Sequence, residues 1–285
     1  MDFKRIREHF GTAFLEKLRA DLDKYRLLWG LSEIEQIDYY SVNCLFYCLS
    51  AEHGACVLKI NPNAGGARSE YNMLKDFGGG GMCRVHEADL YGGALLIERI
   101  SPGTQLRDET GFDIRLGVFC TLFRGLHKPP GGGVKYDTYM GWVSRIAAFL
   151  RQLKDHKELS AKMDKAEEIC RELWDKYPRR LLLHGDLHHD NILLGESGYR
   201  AVDPKGVVGD PVFDIPRFML NEDDLDKNDK FACLVQKLSA ELGVDESDIR
   251  RLYYVEICME NSWSAEDGGE VSMSDVLFAE RMLCS

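Results

Sequence analysis

The stretch HGDLHHDNILLGESGYRAVDPKGVVGDPVFD, residues 184–214, decides how the rest of the chain is read. It sets His184, Asp186, His188, His189, Asp190, Asn191, Asp203, Asp210 and Asp214 among short apolar runs. LLLH (181–184), NILL (191–194) and YRAV (199–202) read as small strands. A polar loop, 184–190, follows the first, and a Gly195 to Gly198 turn joins the other two. Asp186 and Asn191 are five residues apart, and the hairpin then delivers Asp203 beside them. Phosphoryl transfer needs such a set. One carboxylate orients the attacking hydroxyl and takes its proton, while an amide oxygen and a second carboxylate hold magnesium against the nucleotide phosphates. The spacing therefore predicts Asp186 as catalytic base and Asn191 and Asp203 as metal ligands. His184 and His188 are expected to hold the loop by hydrogen bonds. Asp210 and Asp214 are expected to brace it, with Asp210 also a candidate contact to the substrate hydroxyl.

The same five-residue offset occurs in the protein-kinase catalytic loop, where Asp is followed by four residues and then Asn. The first third of the chain carries matching parts. In ACVLKI, Lys59 sits inside an apolar strand, like the phosphate-contacting Lys of the kinase Val-Ala-Ile-Lys strand. Glu70 shares a helical stripe with Met73, Leu74 and Phe77, and a carboxylate among apolar neighbours needs a partner. A Lys59–Glu70 ion pair would supply it and position the Lys.

Periodicity gives the remaining elements. Ile6, Phe10, Phe14, Leu18, Leu22, Tyr25 and Trp29 form one amphipathic stripe, predicting a helix over 1–29. Strands are expected at 37–50, 55–60, 82–89 and 94–100, with a helix at 68–77 stopped by Gly78–Gly81. From residue 112 onward the pattern is mostly helical, with helices expected near 138–154, 160–176, 213–221, 226–242, 248–262 and 272–283. The fold class is therefore α+β, with sheet giving way to helix near 98–103.

With these residues in place, the chain resembles the aminoglycoside and hydroxyurea antibiotic resistance kinases, a streptomycin-kinase-like branch of the aminoglycoside phosphotransferases. The resemblance rests on WGL (29–31), VLKI with Lys59, SEYNMLKDFGG with Glu70, ALLIERISPGTQL (94–106), LHKP (126–129), HGDLHHDNIL (184–193), AVDPKGVVGDPVFD (201–214) and SWSAEDG (262–268). It implies a bilobal protein-kinase-like fold: a small antiparallel-sheet N-lobe over 1–100, with an N-terminal helix and the nucleotide site, and a larger helical C-lobe over 101–285 with the catalytic loop and acceptor site. It also implies ATP and Mg2+ as cofactors, with the adenine on backbone groups near Glu98 and Ile100. Some features depart from protein kinases. The loop Tyr40-Ser41-Val42-Asn43 has no glycine, Asp203-Pro204-Lys205-Gly206 stands where Asp-Phe-Gly would be, and no Ala-Pro-Glu follows. A small-molecule hydroxyl acceptor is the expectation.

Composition narrows the partners. Lys and Arg total 36 against 47 Asp and Glu, a net charge of −11, so nucleic-acid binding is not expected. No stretch approaches the roughly 18 apolar residues of a membrane span. The N-terminus has no apolar signal segment, and the nine cysteines form no CxxC pair, so reduced thiols in a cytoplasmic protein are expected. Residues 256–270, EICMENSWSAEDGGE, carry five acids and no base, which points to a cationic acceptor with Glu266 and Asp267 as contacts. Two alternatives remain open on sequence: a metal-dependent phosphoesterase using His184, Asp186, His188 and Asp203, and an inactive nucleotide-binding relative.

Overall fold

Strands β1 (Leu31–Gln36), β2 (Cys44–Ser50), β3 (Gly54–Ile60), β4 (Val85–Asp89) and β5 (Ala94–Glu98) form an antiparallel sheet in the order β1-β2-β3-β5-β4. The computed structural model describes residues 3–37, 43–62, 64–222 and 228–284. Of the glycine-free loop 40–43, residues 40–42 fall outside them. Alternation along β2 buries Cys44, Phe46, Cys48 and Ser50. The same face continues through Leu58 and Ile60 of β3 and Leu96 of β5. It shares a core with Ile6, Leu18 and Tyr25 of α1 (Phe3–Phe10) and α2 (Thr12–Leu28). Lys59, between Leu58 and Ile60, must point to the opposite face. There α3 (Ala64–Phe77) brings Glu70 to it.

Three elements differ from expectation. The helix predicted over 1–29 is two helices, because Gly11 adopts φ 87 between them. β1 is LSEIEQ, too polar to signal a strand; it survives as an edge strand that, among the described residues, pairs only with β2. Of the strand expected over 37–50, Cys44–Ser50 forms β2, and the described residues Ile37 and Asn43 lie outside it.

Asp89, at the end of β4, ties α2 to the sheet. Its carboxylate accepts from Lys24 Nζ at 2.5 Å, Gly92 N (through Oδ1) at 2.8 Å and Tyr25 Oη at 3.1 Å. The Lys24 hydrogen bond, then the Gly92 amide, hold this carboxyl down to about 2. A depressed carboxylate stabilises the fold above its unfolded value, and the benefit disappears as pH falls through the folded value. With solvent screening the contribution is about 1 kcal/mol. Asp89→Asn should therefore lower the urea-unfolding free energy by about that amount at pH 7. The gap should close as pH falls from about 4 toward 2; a gap independent of pH would show that the ion pair does not act.

The chain divides into two compact units, Met1–Thr104 with Leu193–Val202, and Gln105–Ile192 with Asp203–Ser285. The chain passes between these units three times, at 104/105, 192/193 and 202/203. The reason is the hairpin of β9 (Ile192–Gly195) and β10 (Gly198–Ala201), which pairs through β9 with β6 (Pro102–Gln105). Its far strand also bonds the first unit: Ala201 N donates to Gly81 O at 2.7 Å and Cys83 N to Ala201 O at 2.9 Å. Arg200 Nη1 pairs with Glu98 Oε1 at 2.5 Å.

The second unit is mainly helical: α4 (Phe112–Leu126), α5 (Tyr139–Leu150), α6 (Lys157–Lys176), α7 (Ile215–Leu220), α8 (Asn228–Leu242), α9 (Glu246–Glu266) and α10 (Met273–Met282). α9 is its axis, contacted by α5, α6, α7, α8 and α10. Its residues 252–259 are buried without interruption, the mark of a helix packed on all sides. A small sheet sets β11 (Val207–Gly209) between β7 (Asp137–Thr138), parallel to it, and β8 (Leu181–Leu183), antiparallel. No helix among the described residues is long and apolar enough to cross a membrane.

Candidate active site

The loop after β8 is held almost residue by residue. Buried Asp214 accepts from His184 N and Gly185 N, each at 2.8 Å, and pairs with His127 Nε2 at 2.9 Å. Burial alone would raise the Asp214 carboxyl, but the His127 hydrogen bond and charge, with His184 and the Gly185 amide, keep it below the ordinary carboxylate value. Gly185 has φ 74, and a Cβ there would meet Val207 Cγ1 at 2.7 Å, so only glycine fits this turn. His184 Nδ1 accepts from Asp186 N at 3.2 Å, and His188 Nδ1 from Asp190 N at 3.4 Å. His189 is buried, bonded to Glu222 Oε1 at 2.9 Å and stacked on Phe218. Asp190 receives both arms of Arg107, at 2.5 and 2.9 Å.

Asp186, on the same loop, is met by side chains. Asn191 Nδ2 donates to Asp186 O at 2.9 Å and reaches its Oδ2 at 3.4 Å. Lys205 Nζ lies 3.5 Å from Asp186 Oδ2 and 2.5 Å from Asp203 Oδ2, so both carboxylates face one ammonium. Arg217 Nη1 stands 3.7 Å from Asp186 Oδ1. Arg217 Nε also approaches Glu256 Oε1 to 2.6 Å, without the alignment of a hydrogen bond. Burial works against the Arg217 charge, but Glu256, Asp186 and Glu260 hold its pKa up. Asp203 has φ 63, an unfavourable conformation for a residue other than glycine and one often found at functional positions.

The site's donors suit a hard cation. Asp203 offers a carboxylate at a point where a lysine ammonium already binds. Asn191 turns its amide nitrogen to Asp186, which leaves its carbonyl oxygen as the atom to offer a metal. The three nearby histidines each spend one ring nitrogen on bracing the loop: Nδ1 of His184 and of His188, and Nε2 of His189.

In the first unit Lys59 and Glu70 form an ion pair at 2.7 Å, both side chains being less than a tenth exposed. Glu98 accepts from Arg84 N at 3.0 Å as well as from Arg200, so its carboxylate is occupied. Ile100 is buried and would lie 3.3 Å from a Cβ at Gly195.

The expected substrate carboxylates are placed differently. Asp210 is 1% exposed and bonded to Arg179 Nε and Nη2 and to the Val212 amide, so it braces and does not open to an acceptor. Glu266 does not stand free either: both oxygens bind Arg145, at 2.6 and 3.0 Å. Asp267 is exposed at the C-terminal end of α9. Within the acidic stretch, Glu256 is buried against Arg217 and Tyr139. Glu260 instead is exposed; partial desolvation raises its pKa, as do the Asp275 and Asp186 charges, against the pull of Arg217.

A cavity of about 520 Å³ lies in the second unit, lined by Tyr136, Asp137, Trp142, Arg145 and Trp263 among others. Trp142 adjoins the loop after β8, its ring 3.1 Å from the position of a Cβ at Gly185. Trp263 meets Trp142 edge to face at 6.0 Å, and the Arg217 guanidinium lies 5.3 Å from its ring centre. Sequence spacing gave no signal for Arg217, Lys205, Trp142 or Trp263, whereas Glu260 lies in the acidic stretch 256–270.

A helix-bearing antiparallel sheet unit, a mainly helical unit and this loop define the protein-kinase-like class of small-molecule kinases. The chain belongs to the aminoglycoside/hydroxyurea antibiotic resistance kinase family, whose profile matches residues 29–268. It is 31% identical over 180 residues to a streptomycin 3''-kinase of Klebsiella pneumoniae, covering 61% of this chain and 64% of that one, just under two thirds of the relative's length. It is 25% identical over 284 residues to a hydroxyurea phosphotransferase of Kitasatospora aureofaciens, covering 94% and 81%. Among solved structures, the choline kinase LicA of Streptococcus pneumoniae matches with a TM-score of 0.64 at 15% identity, covering 94% of this chain and 98% of that one. A thermostable aminoglycoside phosphotransferase APH(4)-Ia, in complex with ADP and hygromycin B, gives 0.64 at 16% identity, covering 92% and 95%. At those identities the likeness is one of fold.

Proposed function

We propose that this protein transfers the γ-phosphate of ATP, with Mg2+, to a hydroxyl of a small cationic acceptor of the aminoglycoside kind. The observation that carries the proposal is the shared ammonium of Lys205, which joins the proposed base Asp186 to the proposed metal ligand Asp203. Asp186 accepts the acceptor hydroxyl's proton through a carboxylate that Asn191, Lys205 and Arg217 hold in place. Lys59, fixed by Glu70, binds nucleotide phosphate, and the backbone near Glu98 and Ile100 receives the adenine. Mg2+, when bound by Asn191 and Asp203, neutralises charge on the phosphate oxygens. The aromatic cavity at Trp142 and Trp263 supports an acceptor site beside the base. Glu260 replaces Glu266 as the carboxylate proposed to attract a cationic acceptor.

The phosphoesterase alternative loses support because His184 and His188 each accept a backbone amide at Nδ1, which puts the proton of the neutral ring on Nε2 and leaves that nitrogen no lone pair for a metal. An inactive relative would not need the complete set of Lys59, Glu70, Asp186, Asn191 and Asp203.

The test is magnesium-dependent ATP turnover against a panel of acceptors: streptomycin and other aminoglycosides, hydroxyurea, and neutral sugars. Phosphorylation of an amine-bearing acceptor is expected, with Glu260→Gln raising its KM about 5-fold, the loss of about 1 kcal/mol of charge attraction. Hydrolysis of simple phosphate esters without nucleotide would overturn the kinase proposal. Preference for neutral sugars, unaffected by Glu260→Gln, would overturn the acceptor class alone.

A further inference from the structure

One end of the first unit's sheet gathers two imidazoles and two carboxylates that the proposed chemistry does not use. Glu52 and His53 lie in the three-residue turn between β2 and β3, whose length is set by the Ser50–Gly54 pairing. Ser50 Oγ accepts from both their amides, at 3.3 and 3.4 Å, and so fixes the turn. His86 and Glu87 lie at the start of β4. There Val85 pairs with Ile97 but Glu87 with Leu96, so His86 is an extra residue and the strand bulges. Adjacent strand residues normally face opposite sides, and a bulge re-aims them. The Cys56–Glu98 and Val57–Ile97 pairings bring this end of β4 alongside the β2–β3 turn.

The resulting cluster has ligand atoms close enough to share one ion. A carboxylate oxygen of Glu52, a ring nitrogen of His53 and a carboxylate oxygen of Glu87 all lie within 4.8 Å of one another. His53 Nε2 stands 3.4 Å from Glu87 Oε1. That is long for a charge-assisted hydrogen bond, which runs about 2.7–2.9 Å. It is the spacing of two ligands on one tetrahedral ion, since bonds of about 2.0–2.1 Å at the tetrahedral angle separate their ends by about 3.4 Å. The His86 ring stacks on His53 at 4.5 Å and 13°, which fixes the plane of the ligating imidazole. The side chains of His53 and Glu87 are 21% and 41% exposed, so an ion can reach them.

We infer that Glu52, His53 and Glu87 bind one zinc-class divalent cation, with His86 holding the His53 ring and water filling the remaining position. A mixed imidazole and carboxylate set favours Zn2+ over Mg2+ or Ca2+, which prefer oxygen alone. The ion would staple the β2–β3 turn to β4.

The experiment is calorimetric titration of zinc into the full chain with magnesium in excess. Cys233 and Cys284, the exposed thiols, are replaced by serine in every sample. One zinc equivalent is expected, together with a zinc-dependent rise in Tm. Loss of a group that only orients a ligand weakens metal binding about 10–100-fold, so His53→Ala and the isosteric Glu87→Gln should each cost at least about 10-fold and abolish the Tm rise. Asp203→Asn should leave the equivalent intact. Equal zinc binding by the parent and by both variants overturns the inference. So does loss of the equivalent in Asp203→Asn with retention in His53→Ala, which would put the ion at the proposed catalytic loop.

Discussion

Asp186→Asn is expected to cut phosphate transfer by about 100-fold or more, the usual contribution of a positioned general base, while ATP still binds. The substitution removes basicity without removing shape. An amide at this position can still meet the Asn191 side chain, now 3.4 Å from Asp186 Oδ2. The loop itself is held from elsewhere, by Asp214, His184, His189 and Arg107. Circular dichroism and Tm should therefore change little, and nucleotide affinity should remain close to that of the parent. Turnover within about threefold of the parent, against the 100-fold expected of a base, would remove Asp186 from the role.

The second large effect is expected at Asp203. Asp203→Asn should lower turnover by about 100-fold, because a metal on transferring phosphate supplies several kcal/mol of charge stabilisation. Unlike the first variant, it should also move the magnesium titration of nucleotide binding to higher concentration. The substitution has a local consequence as well. Lys205 Nζ now sits 2.5 Å from Asp203 and 3.5 Å from Asp186, and loss of one carboxylate leaves it to the other. An unchanged magnesium midpoint would exclude Asp203 as a ligand. The pair of variants separates base from metal ligand: both lose turnover, but only one changes the metal dependence.

What could be read in the sequence was local. HGDLHHDNIL and AVDPKG place the proposed base, the amide and the second carboxylate within 20 residues, so spacing alone brings them together. The Lys59–Glu70 pair was legible for a related reason: a carboxylate on an apolar helical stripe and a cation inside an apolar strand each need a partner, and the structure joins them at 2.7 Å. Arg217, Trp142 and Trp263 gave no such signal. They come from α7, α5 and α9, and only tertiary packing assembles them around the loop. In the acidic stretch 256–270, charge counted along the chain did not show which acids are paired. Arg217 and Tyr139 take Glu256, and Arg145 takes Glu266. β1 was missed because an edge strand needs a neighbour more than it needs apolar residues.

The hairpin at 193–202 bears on how this protein can be taken apart. It belongs to the first unit, yet Asn191 stands one residue before β9 and Asp203 two residues after β10, both in the second. A fragment ending at Thr104 would therefore lack the partner strand of β6, the Arg200 guanidinium on Glu98 and the backbone bonds at Gly81 and Cys83. The complementary fragment would carry that hairpin with nothing to dock on. No single cut in the chain separates the units, so halves made for split-reporter or domain-exchange work must carry residues 193–202 grafted onto the first piece.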